Sequence, residues 1–176
     1  KSVVTDNKKK NIGHLFAKFS LDLDWESFIK SDLKISLENV TNDTYLKIFE
    51  TNLTNISPKI MPKNKGQLTS NLKLNLDHEK YSFNTGITAY ETLSGKDSDR
   101  YQYVLPYYTF SKNLISNQLL SLNFNSNGKN NYQNTNNLKT VVNNNFDFKS
   151  IDFISESGFK NNIGVHFKNV NTVAKN

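Results

Sequence analysis

Cysteine is missing from the 176-residue sequence, so neither a disulfide framework nor a thiolate metal site is available to it. Arginine is nearly missing: Arg100 is the only one among 22 basic residues. The formal charge of +6 therefore does not read as a polyanion site, because bidentate phosphate and base-edge recognition leans on clustered arginine. Lysine and asparagine abound instead, with 28 Asn in the chain, a composition that AT-rich coding produces. No run of about 18 apolar residues occurs, which excludes a membrane-spanning helix and leaves strand-built spans open. Hydrophobic residues make up 36% and mean hydropathy is -0.62, little for a soluble domain with a compact core. An aromatic share of 12% nevertheless argues against disorder. Few apolar residues, many of them aromatic and widely spaced, suit a thin β-wall that is apolar on one side only.

What is present is alternation with period two, the pattern of a strand whose neighbouring side chains point to opposite faces. Leu68, Leu72, Leu74 and Leu76 oppose Gln67, Thr69, Asn71, Lys73, Asn75 and Asp77. Leu15, Ala17, Phe19, Leu21 and Leu23 oppose Lys18, Ser20 and Asp22, and Leu33, Ile35 and Leu37 oppose Lys34, Ser36 and Glu38. Tyr81, Phe83, Ile87 and Ala89 form a fourth apolar set, and Tyr101, Tyr103, Leu105 and Tyr107 a fifth. Leu120, Leu122 and Phe124, then Val142, Phe146 and Phe148, continue the series. From Gly158 onward Phe159, Ile163, Val165 and Phe167 alternate with Lys160, Asn162, Gly164, His166 and Lys168.

These segments predict about eight strands, many near the 9 to 11 residues that cross a bilayer obliquely. No sustained spacing of three and four appears, and the Asn, Ser and Thr content lowers helix propensity, so crossover helices and parallel pairing are not expected. The expected fold class is all-β, an antiparallel up-and-down meander of about eight strands forming one partial segment, residues 1–176, of a large transmembrane β-barrel. A tight turn is expected at 78–80 and longer loops at 41–65 and 128–137, the latter on the external side. Pro58 and Pro62 fall in the first of these loops. With no initiating Met before Lys1 and no terminal aromatic at Asn176, the chain reads as an excerpt.

A soluble β-sandwich or small closed barrel alternates in the same way. Strand length, an evenly polar second face and aromatics near strand ends favour the membrane wall; Tyr45, Tyr90, Tyr101, Tyr103, Phe153 and Phe159 are the candidate interface girdle. Residues expected to face the lumen are Lys18, Lys34, Asn71, Lys73, Asn75, Lys160 and Lys168. Their ordinary role is to keep a large barrel wet inside, and their further role would be to attract phosphorylated headgroups or meet a plug. His14, His78 and His166 lack ligand spacing, so no metal site is expected, and no cofactor motif or nucleophile elbow occurs. Asp97, Ser98 and Asp99 lack the ligand spacing and glycine of a calcium loop. The sequons at Asn39, Asn42, Asn52 and Asn55 would matter only in a eukaryotic secretory route.

Particular words add to the pattern. GHLFAKFSLDLD at 13–24, VTNDTYLKIF at 40–49, HEKYSFNTGITAYETL at 78–93, DRYQYVLPYYTFSKNL at 99–114 and DFISESGFKNN at 152–162 occur in that order. Together they resemble the lipopolysaccharide-assembly outer-membrane proteins of the LptD (OstA or Imp) family, especially AT-rich alphaproteobacterial members. The positions that carry the resemblance are Asp43 and Tyr45, Glu91, Tyr101, Leu105 and Pro106, and Glu156 with Gly158. It implies an internal part of a barrel of about two dozen strands. That barrel takes lipopolysaccharide from a periplasmic bridge, is plugged by a lipoprotein of the LptE type, and releases the lipid sideways into the outer leaflet. The jellyroll, both seam strands and the cysteines of some members are not in this sequence. The resemblance implies neither a catalytic residue nor a cofactor, and the absence of an arginine cluster argues against a nucleic acid partner. A porin or ligand-import wall is the competing reading, and an outer-membrane lipid-modifying enzyme a third. Leu74→Arg at a lipid-facing midpoint is expected to cost about 2 to 4 kcal/mol, and Asn75→Arg little.

Overall fold

The computed structural model describes residues 13–49, 61–94, 100–133 and 137–175. Ten strands follow one another, β1 His14–Asp22, β2 Lys30–Val40, β3 Gln67–His78, β4 Tyr81–Thr92, β5 Tyr101–Ser116, β6 Leu120–Gln133, β7 Asn137–Ser150, β8 Phe153–Ile154, β9 Lys160–Asn161 and β10 Gly164–Lys175. Eight of them form a single sheet in the order β1-β2-β3-β4-β5-β6-β7-β10, every neighbour antiparallel. The all-β meander is thus as the alternation predicts. The sheet is open: β1 and β10 are its two edges.

Call the end that carries the 41–66 connection the upper end and the opposite one the lower. The lower turn at Glu79 and Lys80 is tight, as expected, because only two residues separate β3 from β4. Two length expectations fail. The 128–137 loop is largely strand, β6 running on to Gln133, since the Asn-rich stretch still pairs residue for residue with β7. The lower connection between β7 and β10, at 151–163, is the longer one and folds into the β8–β9 hairpin. Long and short connections therefore do not sort cleanly between the two ends. Phe159 and Lys160 belong to this hairpin and not to the sheet strand, which starts at Gly164.

One strand changes face midway. Pairing is interrupted between Gly86 and Thr88 on β4 and between Val104 and Tyr107 on β5, so Leu105 and Pro106 stand together opposite one residue. Pro106 lacks the N–H that a central strand would use, and its peptide bond with Leu105 is cis. The extra residue reverses the alternation: Tyr101 and Tyr103 share the apolar face, but beyond the bulge it is Tyr108 and Phe110 that do, through their partners Thr85 and Phe83. Tyr107, expected beside Tyr103, instead points to the polar side over Gly86, where an added Cβ would lie 2.7 Å from its hydroxyl.

The buried core is small and local. Val40, Tyr45, Leu46, Leu68 and Leu93 cluster at the upper end with Phe16, Phe49 and Met61 against them. A helical turn, α1 Tyr45–Ile48, supplies two of these residues. It packs where β2 and β3 part company, their ladder ending at Ser36 and Asn71. Elsewhere the wall is one layer thick, and Leu15, Phe19, Leu21, Leu72, Ile87, Phe146, Val165 and Phe167 are exposed. Pro58, Asn52, Asn55 and the Asp97 to Asp99 cluster lie outside the described residues.

Candidate functional site on the two faces of the sheet

Directly paired residues of an antiparallel sheet share a face, so the register assigns each side chain. Ser20 pairs Lys34 and Lys34 pairs Lys73; Lys18 pairs Ser36 and Ser36 pairs Asn71; Asp32 pairs Asn75. Five of the seven residues expected to face the lumen therefore gather on three adjacent strands. Lys18, Lys34 and Asn71 help to line a groove of about 550 Å³, with Lys63 and Asn64 of the 41–66 connection on its rim. Glu38, also in the groove, is already engaged, its Oε2 accepting the Thr69 N–H at 2.7 Å. Lys168 is on the same face at the far edge, paired with Asn145.

Two of the seven depart from the expectation. Lys160 is in the lower hairpin, where its ammonium sits 2.7 Å from Asp152. That contact, with a bond from Asn162, holds the Asp152 carboxyl below the usual carboxylate range. Asn75 is buried, not a wet lining residue. Its amide donates to Asp32 Oδ2 at 2.6 Å, and Lys34 and Lys30 approach the same carboxylate at 3.2 and 3.6 Å. Asp32 is a nearly fully buried acid, and its partners offset the cost of its desolvation. Substituting Asn75 would therefore cost more than its place in the alternation suggests.

The residues that carry the word-level resemblance fall into three places. Asp43, Glu91 and Tyr101 meet at the upper end on one side chain that the alternation could not single out, Arg100. Its Nη2 and Nη1 donate to the two oxygens of Asp43 at 2.7 and 3.1 Å. Its Nε and Nη2 donate to Glu91 Oε1 at 2.9 and 2.6 Å, and the Tyr101 hydroxyl donates to the same oxygen at 3.2 Å. The two carboxylates, Asp43 foremost, raise the guanidinium pKa beyond its already high ordinary value. Arg100 thus ties the 41–66 connection to the 93–100 connection. Its isolation in the sequence was the only available signal. Tyr45 is buried in the core and its hydroxyl lies 2.6 Å from His14 Nδ1, so it is no girdle residue. Leu105 and Pro106 make the bulge. Glu156 and Gly158 form the hairpin turn, where Gly158 at φ 80° occupies a left-handed position that a side chain would strain. Among the other girdle candidates Tyr90 is on the polar face, paired with Gln102, whereas Tyr101, Tyr103, Phe153 and Phe159 are exposed at the two ends.

Arg100→Ala should destabilise the wall by about 1 to 2 kcal/mol, chiefly by stripping the sheltered Glu91 of its guanidinium donors and leaving it the Tyr101 hydroxyl, since the half-exposed Asp43 arm is screened by water. Arg100→Lys should recover less than half of that, because an ammonium cannot fork to two carboxylates. Hydrogen exchange at the α1 amides would read the effect as faster exchange in both variants, and unchanged exchange would remove the staple.

The apolar face has a geometry of its own. One row of direct partners crosses the sheet through Leu21, Leu33, Leu74, Thr85, Tyr108, Gly128, Val142 and Asn171. On β1 the apolar side chains lie on this row and above it, at Leu15, Ala17, Phe19 and Leu21. On β6 they lie below it, at Leu120, Leu122 and Phe124, and on β10 at Val165 and Phe167 with Ile163 just before the strand. The apolar band runs obliquely, its centre descending by about nine residues over seven strand-to-strand steps, roughly 1.3 residues per step. With strands about 4.8 Å apart and a rise of about 3.3 Å per residue, that drift inclines the strands by about 40° to the band normal. Above the band β6, β7 and β10 are mixed on this same face: Ser126, Asn144 and Asn169 form one polar cross-strand row, and Val142, Val173, Tyr132 and Leu138 lie above it. There the Tyr108 hydroxyl lies 3.1 Å from Ser126 Oγ, which donates to Asn144 at 2.8 Å.

Among the described residues no group of three or more His, Cys, Asp or Glu side chains could hold a metal ion, and no helix is long and apolar enough to cross a membrane. Compared with family models, curated proteins and solved structures, the chain matches none.

Proposed function

We propose that this chain is a stretch of wall in a large outer-membrane β-barrel of the lipopolysaccharide-assembly type, a conduit for glycolipid with no catalytic centre. The observation that carries the membrane half of the reading is the oblique apolar band. A sheet inclined about 40° to a continuous greasy belt matches the 35 to 45° tilt of strands in outer-membrane barrels. A soluble sandwich would cover its apolar face with a second layer, and here, below the small upper-end cluster around Leu68, no second sheet lies on that face among the described residues. The polar face, with its lysines and amides, suits an aqueous lumen. The glycolipid half rests on the ordered words around Asp43, Glu91, Tyr101, Pro106 and Gly158. The partners it brings are lipopolysaccharide, a plug lipoprotein of the LptE type and a periplasmic transport bridge, with the Gram-negative outer membrane as the place.

Depleting the protein from its own bacterium tests the whole reading. Newly made lipopolysaccharide should fail to become accessible to a surface-labelling reagent while it accumulates inside the cell. Normal surface lipopolysaccharide combined with lost uptake of small solutes would transfer the wall to a porin or import barrel. Infrared dichroism of the full chain in oriented bilayers should give a strand inclination near 40°, and random orientation would overturn the membrane assignment itself.

A further inference from the structure

The lower connection between β7 and β10 is the feature that the wall does not need. Thirteen residues span a gap that three residues close between β5 and β6. They fold into a hairpin of their own: Ser155 N–H donates to the Phe159 carbonyl at 2.9 Å, Gly158 N–H to the Ser155 carbonyl at 2.8 Å, and Phe159 N–H to Ser155 Oγ at 3.1 Å. This ordered turn displays apolar side chains: Phe153 is 50%, Ile154 75% and Phe159 71% exposed.

Position decides what covers them. By β7 and β10 the descending band has reached the lower end of the sheet, where Phe148 pairs Val165 and Ser150 bonds through its N–H to the Ile163 carbonyl. The hairpin therefore emerges directly below the band, beyond the last ladder bond of β7 and β10. Its charges nearly cancel, Lys160 pairing with Asp152, so electrostatic attraction to an anionic surface is not its design. Exposed Phe and Ile on a polar turn, level with the edge of a lipid-facing belt, are what the boundary between acyl chains and headgroups accommodates.

We infer that the β8–β9 hairpin is a membrane foot, inserting Ile154 and Phe159 into the lower phospholipid interface beside the wall. The inference rests on the proposed membrane reading and adds a lipid contact outside the sheet. The test uses the full chain with Trp25→Phe, refolded into phosphatidylcholine vesicles, carrying either Phe159→Trp or Phe167→Trp, with Ile154→Trp as a second reporter of the foot. Phe167 marks the band itself. Tryptophan at 167, 159 and 154 should all be blue-shifted and quenched by lipids brominated near the headgroup, by at least twofold at 159. Quenching at 167 with red-shifted, iodide-accessible emission at 159 and 154 would overturn the foot while leaving the wall in place. Absence of bromine quenching at all three would overturn both. Exchanging phosphatidylcholine for an anionic lipid mixture should leave the quenching within about twofold, and quenching that requires anionic lipid would refute the neutral insertion argued here.

Discussion

Replacing Leu74 by arginine is expected to cost the refolded chain about 2 to 4 kcal/mol in a bilayer, because an unpaired guanidinium near the middle of the apolar band must be dragged to the interface or surrounded by water. Leu74 lies within the band on β3, between Leu33 and Thr85 in the cross-strand row. The comparison substitution is Thr109→Arg on β5. Thr109 is exposed on the polar face with Asn84 and Asn127 as its direct partners, and a cation there costs little. Asn75→Arg is a poorer comparison than the alternation suggests, since it removes the donor to buried Asp32. Denaturant titration in vesicles would compare the two variants, and equal losses at 74 and 109 would reverse or abolish the assignment of faces.

Gly86→Ala should be nearly as damaging, about 1 to 3 kcal/mol, for a reason unrelated to the bilayer. A Cβ at 86 would stand 2.4 Å from the Leu72 carbonyl oxygen and 2.7 Å from the Tyr107 hydroxyl. The tyrosine tip can swing away, but the carbonyl belongs to the β3 backbone and moves only with its strand. Tyr107→Ala combined with Gly86→Ala should therefore recover only part of the loss. Full recovery in the double variant would assign the whole conflict to the ring. The same denaturation series in detergent micelles should give a similar cost, which separates this steric effect from the solvent-dependent one at Leu74.

The strands were legible because period two persists where one face is apolar. Leu72, Leu74 and Leu76 fix β3, and Phe146 and Phe148 fix the lower half of β7. The period-two signal fades where the apolar partner drops out. Asn127, Gly128, Lys129, Asn130 and Asn131 put no apolar side chain on either face, so the upper half of β6 reads as loop although its backbone is fully paired. A bulge is half legible: a proline inside a strand run marks loosened pairing, but composition does not say that Tyr107 and Tyr103 part at Pro106 while Tyr108 takes the apolar place. The candidate site was partly legible. Lys18, Lys34, Asn71 and Lys73 are grouped on the polar face by parity, whereas Lys160 was misplaced by reading one alternating run through the hairpin at 153–161. The Arg100 staple depends on Asp43, 57 residues away, and contacts at that separation leave no local periodicity.

Each strand of the sheet bonds only to its predecessor and its successor, with the minor hairpin between β7 and β10 standing aside. An antiparallel pair is consequently the smallest module whose excision, for example β3 with β4, would leave every later strand pointing the same way with its apolar side chains on the same face. Loss of a single strand would invert all that follow it. Such a sheet can be widened or narrowed in units of two without redesign of its neighbours, so its breadth is a quantity that duplication or deletion can set independently of the side chains on its polar face.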